Sequence, residues 1–242
     1  MKFTDIGTIL SLEHKQEGLL LLKILSSNNG ICSGIVKRPS KKSLPNYQIG
    51  NIVKFERFAR LADQLGTLSC EPIKSYQAQI ISKKSSLYAF KSLSLILLSS
   101  FMEYQNHTRI HDELLIFLDK INDYSWRDYC IFELEILKDA GYELDFRNCA
   151  GCGIDTNLIY ISPKSGRSVC KNCSVGYENL LLELPSSVFN PKAEISSSDA
   201  IKLLDLSEYF FKRYIWRESN IDEICFYRNG LKKLIIPNTI SK

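Results

Sequence analysis

The sequence predicts an α+β chain in two parts: a small β-barrel first, then an all-α domain carrying an inserted four-cysteine segment. Three observations predict it. Residues 1–75 hold five short apolar runs separated by Gly, Asn, Ser and Pro, without helical periodicity. From Ser75 onward apolar residues recur at three- and four-residue intervals. Cys149, Cys152, Cys170 and Cys173 form two Cys-x-x-Cys pairs with seventeen residues between them.

The strands come in order. Phe3 to Leu10 opens, and Gly18 to Leu25 is an apolar run. Ser26-Ser27-Asn28-Asn29-Gly30 follows as a cluster of turn residues, and Ile31 to Val36 resumes the apolar, β-branched pattern, which makes a hairpin. Gly50-Asn51 opens a fourth strand in which Val53 and Phe55 face one way and Lys54 and Glu56 the other. A fifth, Leu65 to Cys70, is expected to stop before Pro72. Five short strands of this size suit an OB-fold barrel, and an SH3-like barrel would look similar.

Charge is unevenly spread along the 242 residues. Residues 1–84 carry 13 Lys and Arg against 6 Asp and Glu, a balance of +7, while the rest is at −3. A basic first third suits a polyanionic partner, or is simply a solvated surface. Lys37-Arg38-Pro39-Ser40-Lys41-Lys42-Ser43 concentrates it, and Pro39 and Pro45 keep this segment out of helix and ladder. The next strand adds Lys54, Arg57 and Arg60. Cations for phosphates and aromatic faces for bases are the combination used on single strands. Alternation sends Phe55 to the core and leaves Phe58 as the stacking candidate. The candidate nucleic-acid-contacting set is therefore Lys37, Arg38, Lys41, Lys42, Lys54, Arg57, Phe58 and Arg60.

The helical part, residues 76–242, begins with Leu87, Phe90, Leu93, Leu97 and Phe101 on one face. A second helix is expected over Asp112 to Ile121. A third has Cys130, Ile131, Leu134 and Leu137 on one side and Glu133, Glu135, Lys138 and Asp139 away from it, ending at Gly141. Glu133 and Glu135 read as surface charge. The last long helix is expected over Asp199 to Trp216, N-capped within Ser196 to Ser198.

The cysteine segment, 146–176, reads as an insertion in this helical part. A two-residue gap lets both thiolates of a pair reach one centre, and two pairs make a tetrahedral S4 cage of structural-zinc type. Gly151, Gly153 and Gly166 supply the turn chemistry. Four protein sulfurs leave no position for water or substrate, so Zn²⁺ would be a structural clip. A disulfide pair, a redox couple or a site that has lost its metal are the alternatives. Cys32, Cys70, Cys130 and Cys225 sit singly among apolar residues and read as buried thiols.

Other classes find little footing. Met1-Lys2-Phe3-Thr4-Asp5 lacks the layout of a secretory signal, and the apolar stretch near Leu93 to Leu98 is too short to span a bilayer, so a cytosolic site is expected. Clustered cysteines there favour metal over disulfide. His107 and His111 lie four apart without the Glu of a zinc-protease motif. There is no Walker loop and no Gly-x-Ser-x-Gly, so no enzyme is expected. A nucleic-acid-binding module and a protein-interaction adaptor without direct DNA binding remain.

The run Phe132-Glu133-Leu134-Glu135-Ile136-Leu137-Lys138-Asp139-Ala140-Gly141-Tyr142-Glu143-Leu144-Asp145 leads into Cys149-x-x-Cys152-Gly153. Tyr160-Ile161-Ser162-Pro163-Lys164-Ser165-Gly166-Arg167 then precedes Cys170-x-x-Cys173. This closely resembles the RecO family of DNA repair and recombination proteins, specifically around 132–173 and in the order of parts throughout. The resemblance implies a non-catalytic mediator with an N-terminal OB-fold, a helical domain and a zinc knuckle. Such proteins bind and anneal single- and double-stranded DNA. They join RecR, and in many bacteria RecF, to let RecA replace single-strand-binding protein, whose acidic, hydrophobic C-terminal tail they also bind. A bacterial cytoplasm, with nucleoid association during repair, is the implied location.

Overall fold

The structure, a computed structural model, describes residues 2–61, 64–190, 194–216 and 218–236, the side chains of 218–220 excepted. Five strands close into a barrel: β1 (Lys2–His14), β2 (Leu19–Ser26), β3 (Gly30–Lys37), β4 (Ile52–Phe58) and β5 (Gly66–Lys74). Their order is β1-β2-β3-β5-β4, with β4 pairing back onto β1. All neighbours are antiparallel except β3 and β5, which close the barrel in parallel. This is the OB-fold arrangement and not the SH3-like one.

Ile9, Leu22, Ile24, Cys32, Val53 and Phe55, all fully buried, fill the interior from alternate positions of their strands. The parallel closure is short, Gly34 opposite Gly66 and Ile35 opposite Thr67. It needs glycine. A Cβ at position 34 would lie 2.5 Å from Leu68 Cγ and 3.0 Å from the Gly66 carbonyl oxygen. Strand β5 runs on through Pro72 to Lys74, past the expected stop. Pro72 is tolerated because it lies opposite Val53 next to a register shift, where β3 no longer flanks β5.

The turn between β2 and β3 is built around Asp5 of β1. Its carboxylate accepts from Ser27 Oγ (2.7 Å), the Asn28 amide (3.1 Å), Asn28 Nδ2 (2.9 Å) and Asn29 Nδ2 (2.7 Å), and from Ser26 Oγ. Burial alone would raise its pKa. The hydrogen bonds outweigh burial and hold the group far below the usual carboxylate range.

By internal contacts the chain divides into residues 1–123 and 124–242. Helices α1 (Gln77–Ser82), α2 (Lys84–Ser100) and α3 (Thr108–Asp119) thus belong with the barrel, whereas the change from strand to helix falls near residue 75. The reason is direct bonding: Thr108 Oγ1 donates to the Ser27 carbonyl (2.6 Å), the Tyr104 amide to Ile31 (3.1 Å), and Lys74 pairs with Asp119 (2.6 Å). Phe90, Leu93 and Leu97 are buried along α2 as its periodicity predicts.

In the second unit, α4 (Trp126–Asp139) begins with a Ser125–Asp128 capping box. It ends in a Schellman turn: Tyr142 donates to Leu137 (2.8 Å) and Gly141 to Lys138 (3.0 Å), with Gly141 at φ 90°. The inserted segment holds β6 (Leu158–Ile161), β7 (Ser168–Cys170) and the single turn α5 (Lys171–Ser174). A short β8 (Leu182–Glu183) pairs with β6 to give the order β7-β6-β8. Helix α6 (Ser197–Tyr214) is capped by Ser196, whose side chain accepts from the Asp199 amide. It is not the last long helix: α7 (Glu218–Ile235) follows. Glu133 is not surface charge either. It is fully buried on α4 against Arg228 of α7, with Ser207 of α6 donating to it at 2.6 Å.

Candidate metal centre and nucleic-acid interface

Two tight turns deliver the four cysteines. In the first, the Gly153 amide donates to the Cys149 carbonyl (2.9 Å) and the Cys149 amide to Ile154 (2.7 Å), with Gly153 at φ 81°. In the second, Cys170 ends β7 and caps α5, its sulfur accepting from the Cys173 amide at 3.5 Å. A strand end and a helix start thus hold Cys170 and Cys173 on one side, facing Cys149 and Cys152 on the other.

The four Sγ atoms lie within 4.8 Å of one another. Cys152 Sγ and Cys170 Sγ are 3.7 Å apart. Zinc–sulfur bonds of ~2.3 Å in a tetrahedron demand an edge of about 3.8 Å. The amides of Cys170 and Gly151 point at Cys149 Sγ from 3.3 and 3.4 Å. Burial pushes that thiol up, yet these bonds and one from the Cys152 amide prevail and bring it down to about 6. Cys173, hydrogen-bonded by the sulfurs of Cys152, Cys170 and Cys149, is pushed up to about 12. Four sulfurs this close cannot all ionise without a cation among them. The cluster therefore fits a soft divalent metal by donor type, spacing and amide support. It is the one such cluster of His, Cys, Asp or Glu among the described residues. His107 and His111 build none: His111 is buried, and burial lowers its pKa. Cys32, Cys70 and Cys130 are buried, Cys225 half-buried, and burial pushes Cys32 and Cys70 up to about 12.

On the barrel, Lys37, Arg38, Lys41 and Lys42 are exposed where β3 runs out, and none makes an ion pair among the described residues. Lys54 and Arg60 are exposed as well, and Phe58 is 54% exposed. Lys54 stands opposite Glu71 and shares a polar recess with Glu56 and Glu71, so the outer face of β4 is of mixed charge. Arg57, expected among the contacting residues, is not on the surface. It is fully buried, its Nε donating to the Ser33 carbonyl at 3.3 Å and its guanidinium 4.8 Å over the Tyr104 ring. The strand's own alternation demands this, because 57 shares a face with 53 and 55.

A closed five-stranded OB barrel ahead of a helical unit whose four cysteines lie close enough to bind a metal ion defines the class: an OB-fold protein with a four-cysteine knuckle in its α-helical body. Residues 85–219 match the family model described as Recombination protein O C terminal. DNA repair protein RecO of Rickettsia conorii is 36% identical over 220 residues, which cover 90% of this chain and 93% of the relative. That of Rickettsia bellii is 36% identical over 93% of each chain, and that of Rickettsia akari 36% over 92% and 94%. The chain belongs to the RecO family. No helix among the described residues is long and apolar enough to cross a membrane.

Proposed function

We propose that the chain is a non-catalytic DNA-repair mediator of the bacterial cytoplasm. It binds single- and double-stranded DNA, anneals complementary strands, and acts with RecR, and where present RecF, to let RecA displace single-strand-binding protein, whose acidic tail it also contacts. One observation carries the DNA-binding part: an OB barrel exposes four cations within Lys37–Lys42, free of ion pairs among the described residues, in a chain similar to RecO proteins over 90% of its length. Phosphate contacts of this kind are independent of sequence and sensitive to salt. Lys54, Phe58 and Arg60 extend the contact surface.

The metal at Cys149, Cys152, Cys170 and Cys173 is Zn²⁺ in this reading. When bound it supplies a four-sulfur crosslink and no open coordination position. The chain's own part is to aim amides at sulfur and to tie β7 and α5 to the 149–153 turn.

Fluorescence anisotropy with labelled single-stranded DNA across a salt series tests the function. Tight binding at low salt that weakens steeply with salt is expected. Absence of binding at low salt would leave the interaction adaptor as the better description.

A further inference from the structure

Residues 124–242 contain an open groove of about 570 Å³ beside the cysteine knuckle, lined by Lys164, Val169, Tyr177, Leu180, Tyr209 and Arg213 among others. No carboxylate among the described residues lines it. Lys164 is exposed and makes no ion pair among the described residues. Arg213 makes none either: it donates to Tyr209 Oη at 2.9 Å and lies 5.3 Å over the Tyr214 ring. Tyr214 is stacked on Tyr142, centroids 4.7 Å apart and planes 11° from parallel. Tyr142, Tyr214 and Tyr177 are 37%, 39% and 61% exposed. Tyr214 is also stacked on Phe210, centroids 6.2 Å apart, so its ring is engaged and the exposed ring in the groove lining is Tyr177.

We propose that this groove holds a second single strand of nucleic acid, its phosphates on Lys164 and Arg213 and its bases against Tyr177. The proposal rests on the DNA-binding reading above and extends it. Annealing needs two strands on one protein, and the barrel's cationic loop accounts for one. An exposed aromatic ring together with unpaired cations is what strand-tracking surfaces offer. An acidic peptide would also answer two cations, but its apolar side chains need an enclosed socket. This groove is open, and its most exposed ring is a tyrosine.

The test uses the full-length, zinc-loaded protein and two non-complementary oligonucleotides, one carrying a donor dye and one an acceptor. Energy transfer reports both strands on one particle. A 5-iodouracil oligonucleotide, photocrosslinked and mapped by mass spectrometry, reports where the second lies. Lys164→Ala/Arg213→Ala is expected to hold the first strand within about two-fold and the second about ten-fold more weakly. Tyr177→Ala should abolish the crosslink at that position, and Arg213→Lys should restore part of the affinity. Circular dichroism confirms that each variant is folded. Unchanged energy transfer in the double variant, or crosslinks confined to the barrel, overturns the proposal. So does a double variant that loses only a phenylalanine-containing acidic peptide probe. Wild-type protein that binds one strand but never two defeats this proposal alone, whereas wild type that binds none defeats the DNA-binding reading with it.

Discussion

Glu133 and Arg228 form an ion pair with both side chains fully buried. The guanidinium also donates to the Leu204 carbonyl (2.6 Å) and Ser207 Oγ (3.2 Å), and lies 5.7 Å over the Trp216 ring. One charged pair thereby joins α4, α6 and α7. Removing one partner strands the other charge away from water. Glu133→Gln or Arg228→Met is expected to destabilise the 124–242 unit by about 3–5 kcal/mol. The double variant should cost less than the two singles together, as read by urea unfolding. Additive costs would mean that the pair is not coupled.

Acid should loosen the same region. Burial raises the Glu208 pKa, but hydrogen bonds from Lys212 and Lys232 and the charge of Arg228 prevail and hold it at about 2, against 4.5 for an ordinary glutamate. A depressed folded-state value gives stability that is full above about pH 4.5 and lost as pH falls toward 2. Glu208→Gln should flatten the pH dependence of Tm in that window and leave the slope above pH 5 unchanged. An identical acid slope in the variant would assign the effect elsewhere, Asp5 being the next group to try.

Metal removal should act locally. Cys149→Ser and Cys170→Ser are each expected to lose about one zinc per chain by elemental analysis and to lower the stability of the 124–242 unit, while the barrel stays folded. Far-ultraviolet circular dichroism and limited proteolysis separate the two parts. Zinc near zero in gently purified native protein would refute the metal assignment.

The cationic loop and Arg57 should part company. Replacing Lys37, Arg38, Lys41 and Lys42 by Ala should weaken single-strand binding for all sequences. It should also reduce the slope of log K against log salt by up to about 3, at ~0.7 per phosphate contact. Arg57→Ala should instead lower barrel stability, because it removes a buried guanidinium from Ser33 and Tyr104. If Arg57→Ala alters the salt slope with stability unchanged, its burial does not describe the working state.

Much of this molecule is legible in the sequence, and the gaps have physical causes. The Cys-x-x-Cys spacing, the Ser26–Gly30 turn and the α2 stripe are local patterns, and they appear where expected. Glu133 reads as solvent-facing because its partner stands 95 residues further on, a distance no periodicity spans. Arg228 also hides α7: Ile224, Leu231 and Ile235 are buried at helical spacing, and an arginine interrupts their stripe. Arg57 has the residue type of a surface contact but the strand position of a core residue, and position prevails. The Asp5 knot ties β1 to the β2–β3 turn through one carboxylate and leaves no pattern along the chain.

Strand β1 pairs on one side with β2 and on the other with β4, whose last residue is Phe58. At ~5–20 residues per second, a ribosome needs roughly 3–11 s to travel from the start of β1 to that partner. From the completion of β2 until β4 emerges, the nascent hairpin carries an open edge along β1. Crowded synthesis at high temperature should therefore be the condition under which this chain aggregates, long before its finished form is in any danger.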